Sequence, residues 1–135
     1  MEVIPIDAEK DLETDRIYIM PSGKKIYIED MVIKVIDRPV DKKINESIDY
    51  FFLSLANEMK GKAVGVILSG TGTDGIKGVK AIEDNNGIVL IQDPTTADFD
   101  SLPNNVIQLD HPDFVVPPEK MFQVINEYAK FNLNL

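Results

Sequence analysis

Asp74 sits inside a glycine-rich turn, Gly70-Thr71-Gly72-Thr73-Asp74-Gly75, that breaks an apolar run from Ala63 to Leu68. Three chemistries suit an ionised carboxylate there. It can cap a helix, accepting backbone N–H bonds and facing the positive end of the helix dipole. It can lie beside a bound dinucleotide, since Gly70-x-Gly72-x-x-Gly75 spells the G-x-G-x-x-G fingerprint and Asp93 closes the next apolar run, where a ribose-binding acid belongs. Two anions at one helix N-terminus repel each other, so Asp74 itself opposes this second use. It can also be catalytic, orienting a histidine ring while a serine is deprotonated, with amides of the glycine turn approaching a developing oxyanion.

The elements that would carry the turn read as α/β. Ala63–Leu68 is a continuous apolar strand, Asp74–Asp84 a helix with Ile76, Val79 and Ile82 inward, and Ile88–Ile91 a second buried strand. Such uninterrupted runs suit parallel strands covered on both faces, with Asn85-Asn86-Gly87 ending the helix between them. Upstream, Asn45–Lys60 is a helix with Ile48, Phe51, Phe52, Leu55 and Met59 on one face, and Asn45 or Ser47 can cap it. The first 40 residues give strands at Val3–Ile6, Arg16–Met20, Lys25–Ile28 and Met31–Ile36, expected to form an antiparallel hairpin or meander at one side of the mostly parallel sheet. After Ile91, a loop through Asp93-Pro94 and Leu102-Pro103 leads to a strand at Phe114–Val116. Pro117-Pro118-Glu119 then opens a last helix with Met121, Val124, Ile125 and Tyr128 on its apolar side.

A catalytic aspartate needs partners. Five serines are present, Ser22, Ser47, Ser54, Ser69 and Ser101, and none lies in a glycine-rich nucleophile turn. Ser69 adjoins the turn but precedes Gly70 at the strand end, where its hydroxyl is expected to satisfy turn backbone. His111 is the sole histidine. It stands before Phe114–Val116, at the amino end of a parallel strand, and Asp74 follows the carboxyl end of another. The two are therefore expected on opposite edges of the sheet.

The 135 residues amount to one domain, 1–135, large enough for an ordinary core. Without cysteine there is no disulfide framework, thiolate nucleophile or zinc cluster. A net charge of −9 repels phosphate backbones, which argues against nucleic acid as a partner. No apolar run reaches membrane-spanning length and the start, MEVIPIDAEKD, lacks signal-peptide character, so membrane insertion is not expected and a cytoplasmic location is.

Five segments, in order, resemble the catalytic domain of the chemotaxis protein-glutamate methylesterase (CheB) family. They are Asp15-Arg16-Ile17-Tyr18-Ile19-Met20-Pro21, the helix Ile48-Asp49-Tyr50-Phe51-Phe52-Leu53-Ser54-Leu55-Ala56, and the signature Val66-Ile67-Leu68-Ser69-Gly70-Thr71-Gly72-Thr73-Asp74-Gly75-Ile76-Lys77-Gly78. The fourth and fifth are Gln92-Asp93-Pro94-Thr95-Thr96-Ala97-Asp98-Phe99-Asp100-Ser101-Leu102-Pro103 and Val115-Val116-Pro117-Pro118-Glu119-Lys120-Met121. The spelling of the fourth is similar to the branch fused to a methyltransferase.

The resemblance implies an α/β esterase that removes methyl from glutamate esters, and deamidates glutamines, on the cytoplasmic helices of chemoreceptors. It implies a Ser-His-Asp triad with Asp74 as its aspartate, an oxyanion region at Gly70, Thr71, Gly72, Thr73 and Gly75, and neither metal nor cofactor. Thr71 stands where many members carry methionine. The family's serine and histidine lie in two earlier strand ends that this sequence does not contain. On that comparison the chain is expected to be an N-terminally truncated methylesterase domain, inactive by itself, with an apolar edge that self-associates or docks the missing N-terminal half. A methylated receptor, a receiver domain and a methyltransferase domain are the further partners implied. The competing expectations are a non-catalytic receptor- or partner-binding remnant and the dinucleotide domain.

Overall fold

A computed structural model describes residues 1–39, 46–110 and 112–132. Its architecture is mixed α/β. The site-bearing half is a parallel three-stranded sheet in the order β6 (Val64–Ile67), β7 (Ile88–Gln92), β8 (Phe114–Val116). It carries α1 (Ser47–Met59), α2 (Ile76–Asp84), α3 (Ser101–Asp110) and α4 (Pro118–Asn132). In β7, residues Val89 to Gln92 are all buried, as the unbroken apolar run requires of a strand covered on both faces. The expected faces of α1 and α2 point inward: Phe52, Leu55, Met59, Val79 and Ile82 pack with Ala63, Ile67, Val89 and Ile91 in one core.

The first 40 residues divide in two. The strands β4 (Lys24–Glu29) and β5 (Val32–Asp37) form the antiparallel hairpin, joined through Asp30 and Met31, both at positive φ as a two-residue turn of this type demands. A short strand β2 (Lys10–Asp11) pairs with the other edge of β5. Between them Ile6, Ile26, Ile28 and Ile33 make a second core, and Leu55 of α1 packs against both cores. The outer pair, β1 (Glu2–Pro5) and β3 (Arg16–Ile19), is parallel and not part of an antiparallel meander. Residues 6–15 leave to add β2 to the other sheet and return on the same side, a crossover too long for a hairpin.

A second departure lies at 101–110, a helix where the paired Leu102-Pro103 suggested loop. Pro103 falls in the first helical turn, where a missing N–H costs no bond, and Leu102, Pro103 and Val106 are buried against the sheet.

Among the described residues β3 pairs only with β1, and β6 only with β7. An apolar slot of about 540 Å³ separates the two unpaired edges. Tyr18 and Met20 line one side, Val66, Ile67 and Leu68 the other, and Phe51 and Phe52 of α1 lie between. The slot ends at Ser69, beside the glycine turn.

Candidate active site

Helix α1 begins without a local cap: Glu46 makes no side-chain bond to it. Asn45, one of the two expected caps, lies outside the described residues, and Ser47 is the buried first residue of the helix. The cap comes from the turn that leads into the neighbouring helix α2. Asp74 Oδ2 accepts the N–H of Ile48 and Oδ1 that of Asp49, both at 2.9 Å. Helix α2 also lacks a side-chain cap from its own N-cap, Gly75. Asp49 supplies it, Oδ1 accepting the N–H groups of Gly75 at 3.0 Å and Gly78 at 2.8 Å. The two acids thus cap each other's helices. Asp74 was expected to cap its own helix or to act in catalysis; the cap it makes is on α1.

Asp49 is the residue that sequence reasoning missed. A carboxylate within the apolar face of a helix was its only signal. Burial pushes its carboxyl above the ordinary value and the charge of Asp74 adds to this, while the Gly78 and Gly75 amides pull it back.

Gly75 has φ +112°, and a Cβ there would meet Ile48 and Ile67 side-chain carbons at 3.1 Å. The turn before it is held from the far side. Gly70 N–H donates to the Phe99 carbonyl at 2.8 Å, Leu102 N–H to Gly70 O at 3.0 Å, and Asn105 Nδ2 to Gly72 O at 2.9 Å. Buried Gln92, at the end of β7, accepts the Ser69 N–H at 2.8 Å and donates to Thr96. Thr71, Gly72 and Thr73 remain exposed, and the amides of Thr71 and Gly72 have no hydrogen-bond partner among the described residues.

A carboxylate offers about four lone-pair positions, and two of Asp74's are used by α1. The group is half-buried at the wall of a 220 Å³ cavity lined also by Glu46, Asp49, Thr73, Lys77 and Leu109. The backbone it anchors, at Ile48, borders the large slot. Asp74 is therefore fixed in direction by two amides and retains acceptor capacity beside open space.

Ser69 is the satisfied hydroxyl it was expected to be. Ser69 Oγ donates to the Phe99 carbonyl at 3.2 Å and accepts the Phe99 N–H at 2.9 Å. Ser54 Oγ donates to Phe51 O and accepts the Ile28 N–H. His111, and with it the expectation of its distance from Asp74, lies outside the described residues. Asp93 turns its carboxylate onto Thr95, accepting both N–H and Oγ1–H in a short 3₁₀ turn, which occupies the group that a dinucleotide ribose would need. Among the described residues there is no group of His, Cys, Asp and Glu able to hold a metal ion.

Comparison with known proteins covers almost the whole chain. The family model described as CheB methylesterase matches residues 1–125. An uncharacterised 104.1 kDa protein of Rhodobacter capsulatus is 32% identical over 95% of this chain and 13% of its own length. A putative protein-glutamate methylesterase/protein-glutamine glutaminase of Leptospira interrogans is 28% identical over 94% of this chain and 66% of its own. The crystal structure of the Thermotoga maritima CheB methylesterase catalytic domain superposes with a TM-score of 0.77 at 25% identity, covering 90% of this chain and 66% of that one. The chain thus spans less than two thirds of the length of these relatives. Its glycine turn with Asp74, its mixed α/β fold and its sequence together make it a member of the CheB methylesterase family.

Proposed function

We propose that this chain supplies the aspartate and the oxyanion-binding turn of a serine hydrolase site that cleaves glutamate methyl esters, and deamidates glutamine side chains, on chemoreceptor cytoplasmic helices. The observation that carries the reading is the setting of Asp74: a carboxylate at the carboxyl end of a parallel strand, aimed by two α1 amides and bordering open space. That is where open α/β sheets place their reacting groups. Within a triad the carboxylate accepts a histidine ring N–H, fixes the tautomer and stabilises the imidazolium formed as a serine hydroxyl attacks the ester carbonyl. The free amides of Thr71 and Gly72 suit the oxyanion of the tetrahedral intermediate. Its collapse releases methanol, and water then hydrolyses the acyl-serine.

The serine and the histidine belong, on this proposal, to a polypeptide segment that enters the slot between β3 and β6. Two parallel edges that are unpaired among the described residues, with an apolar wall, suit added strands, and the slot opens beside the glycine turn. With the slot empty, the same apolar surface drives self-association. The expected experiment measures methanol release from a methylated receptor peptide. The 135 residues alone should release none above background. Addition of a family segment that carries a serine turn and a Gln-His pair should restore turnover. Hydrolysis by the chain alone at the rate of a complete enzyme would overturn the assignment. The receptor's signalling helices lie in the cytoplasm, which is where the proposal places the chain; among the described residues no helix is long and apolar enough to cross a membrane.

A further inference from the structure

We propose that Glu83 keeps its proton at neutral pH and donates it in a hydrogen bond to Asp110, and that this bond is a pH-sensitive clamp on the C-terminal ends of α2 and α3. Glu83 is the penultimate residue of α2 and Asp110 the last of α3. One oxygen of each, Glu83 Oε1 and Asp110 Oδ2, is sealed from solvent, and with both groups ionised neither has a donor among the described residues. Two bare carboxylates offer only acceptors; a single proton turns them into donor and acceptor.

The surroundings favour keeping that proton. Neither helix has a basic residue in its last turn, so two negative dipole ends converge on two acids without compensation. Asp113, ahead of β8, adds a third carboxylate, which accepts the Val89 N–H at 3.0 Å, and Asp84 adds a fourth from α2. β7 brings no charge, and Lys80, one turn back on α2, is exposed. Burial, then the hydrogen bond to Asp110 and its charge, push Glu83 up to about 8. His111 follows Asp110 in sequence and enters the test as a control.

The clamp bears on the site because α3 joins the two. Its first turn is bonded to Gly70 through the Leu102 N–H, and Asn105 holds the Gly72 carbonyl. Release of the C-terminal end of α3 in alkali therefore loosens the helix that holds the glycine turn. The sign follows from linkage. The folded state binds the extra proton between the ordinary glutamate value of 4.5 and about 8, so stability declines as pH rises through that window and levels off above it.

The test is urea unfolding of the 135-residue chain from pH 5.5 to 8.5, together with a ¹³C titration of the Glu83 carboxyl in the wild type. Glu83 should titrate well above other glutamates. The unfolding constant should rise by up to about tenfold per pH unit in wild type relative to Glu83→Gln, which keeps a donor but cannot ionise. His111→Gln should retain the wild-type slope. A Glu83 titration in the ordinary carboxylate range overturns the proposal, and decides it alone if Glu83→Gln fails to fold. Equal slopes for wild type and Glu83→Gln also overturn it, as does loss of the slope in His111→Gln, which would assign the proton to the imidazole.

Discussion

Asp74→Ala is expected to lower ester hydrolysis by about ten-thousandfold in the complemented enzyme, with a much smaller loss of stability. The kinetic loss should fall on kcat with KM little changed, because the carboxylate acts on the histidine and not on the bound ester. The stability loss has a separate cause. Ile48 and Asp49 lose the acceptors that cap α1 at 2.9 Å, which costs about 2 kcal/mol by the usual value of such caps. Steady-state kinetics beside urea unfolding separates the two effects. A variant that unfolds more readily yet turns over at wild-type rate would leave Asp74 as a helix cap and remove it from the chemistry. Asp49→Ala is the natural comparison: it uncaps α2 at Gly75 and Gly78 without touching the proposed triad.

Gly78→Ala is expected to destabilise the fold by about 2–3 kcal/mol, although helix propensity alone favours alanine by about 1 kcal/mol. The reversal of sign comes from packing. A Cβ at Gly78 would lie 2.5 Å from Phe52 Cβ and 3.2 Å from its ring carbons, so α1 and α2 must part. Parting them lengthens the Asp49–Gly78 bond that caps α2. The substitution and Asp49→Ala should therefore be sub-additive, each having already spoiled what the other removes. Chemical denaturation of both single variants and the double decides it. A stabilised Gly78→Ala would mean that the helices have room to spare.

How much of this was readable beforehand depends on the range of the interaction. The turn, the strand before it and the helix after it are local, and the periodicity of Ile76, Val79 and Ile82 or of Phe52, Leu55 and Met59 located them. The parallel pairing of Glu2–Pro5 with Arg16–Ile19 is not local: alternation says which face a residue occupies, not which direction its neighbour runs. The helix at 101–110 was hidden by Pro103, a residue that reads as a break until it is placed in a first turn. The exchange of caps between Asp49 and Asp74 joins groups 25 residues apart, and no local cap motif announces it. The Asp-bearing turn itself was legible because glycine spacing and a strand-to-helix switch occur within a few residues. The slot was expected only in outline, as an apolar edge; its walls come from elements that meet in three dimensions.

The exchanged caps also bear on how the molecule opens. A fraying helix end normally exposes its first amides one at a time, at little cost. Here the amides of Ile48 and Asp49 cannot be freed without moving Asp74, and those of Gly75 and Gly78 cannot be freed without moving Asp49. Strand β6 lies in the chain between the two helices. In native-state hydrogen exchange these four amides should share one opening free energy, close to that of β6 and above that of the β4–β5 hairpin. Independent exchange of the α1 and α2 amides would contradict it. The first turns of two helices, ordinarily the loosest part of each, become the joint that makes helix, strand and helix open as one body.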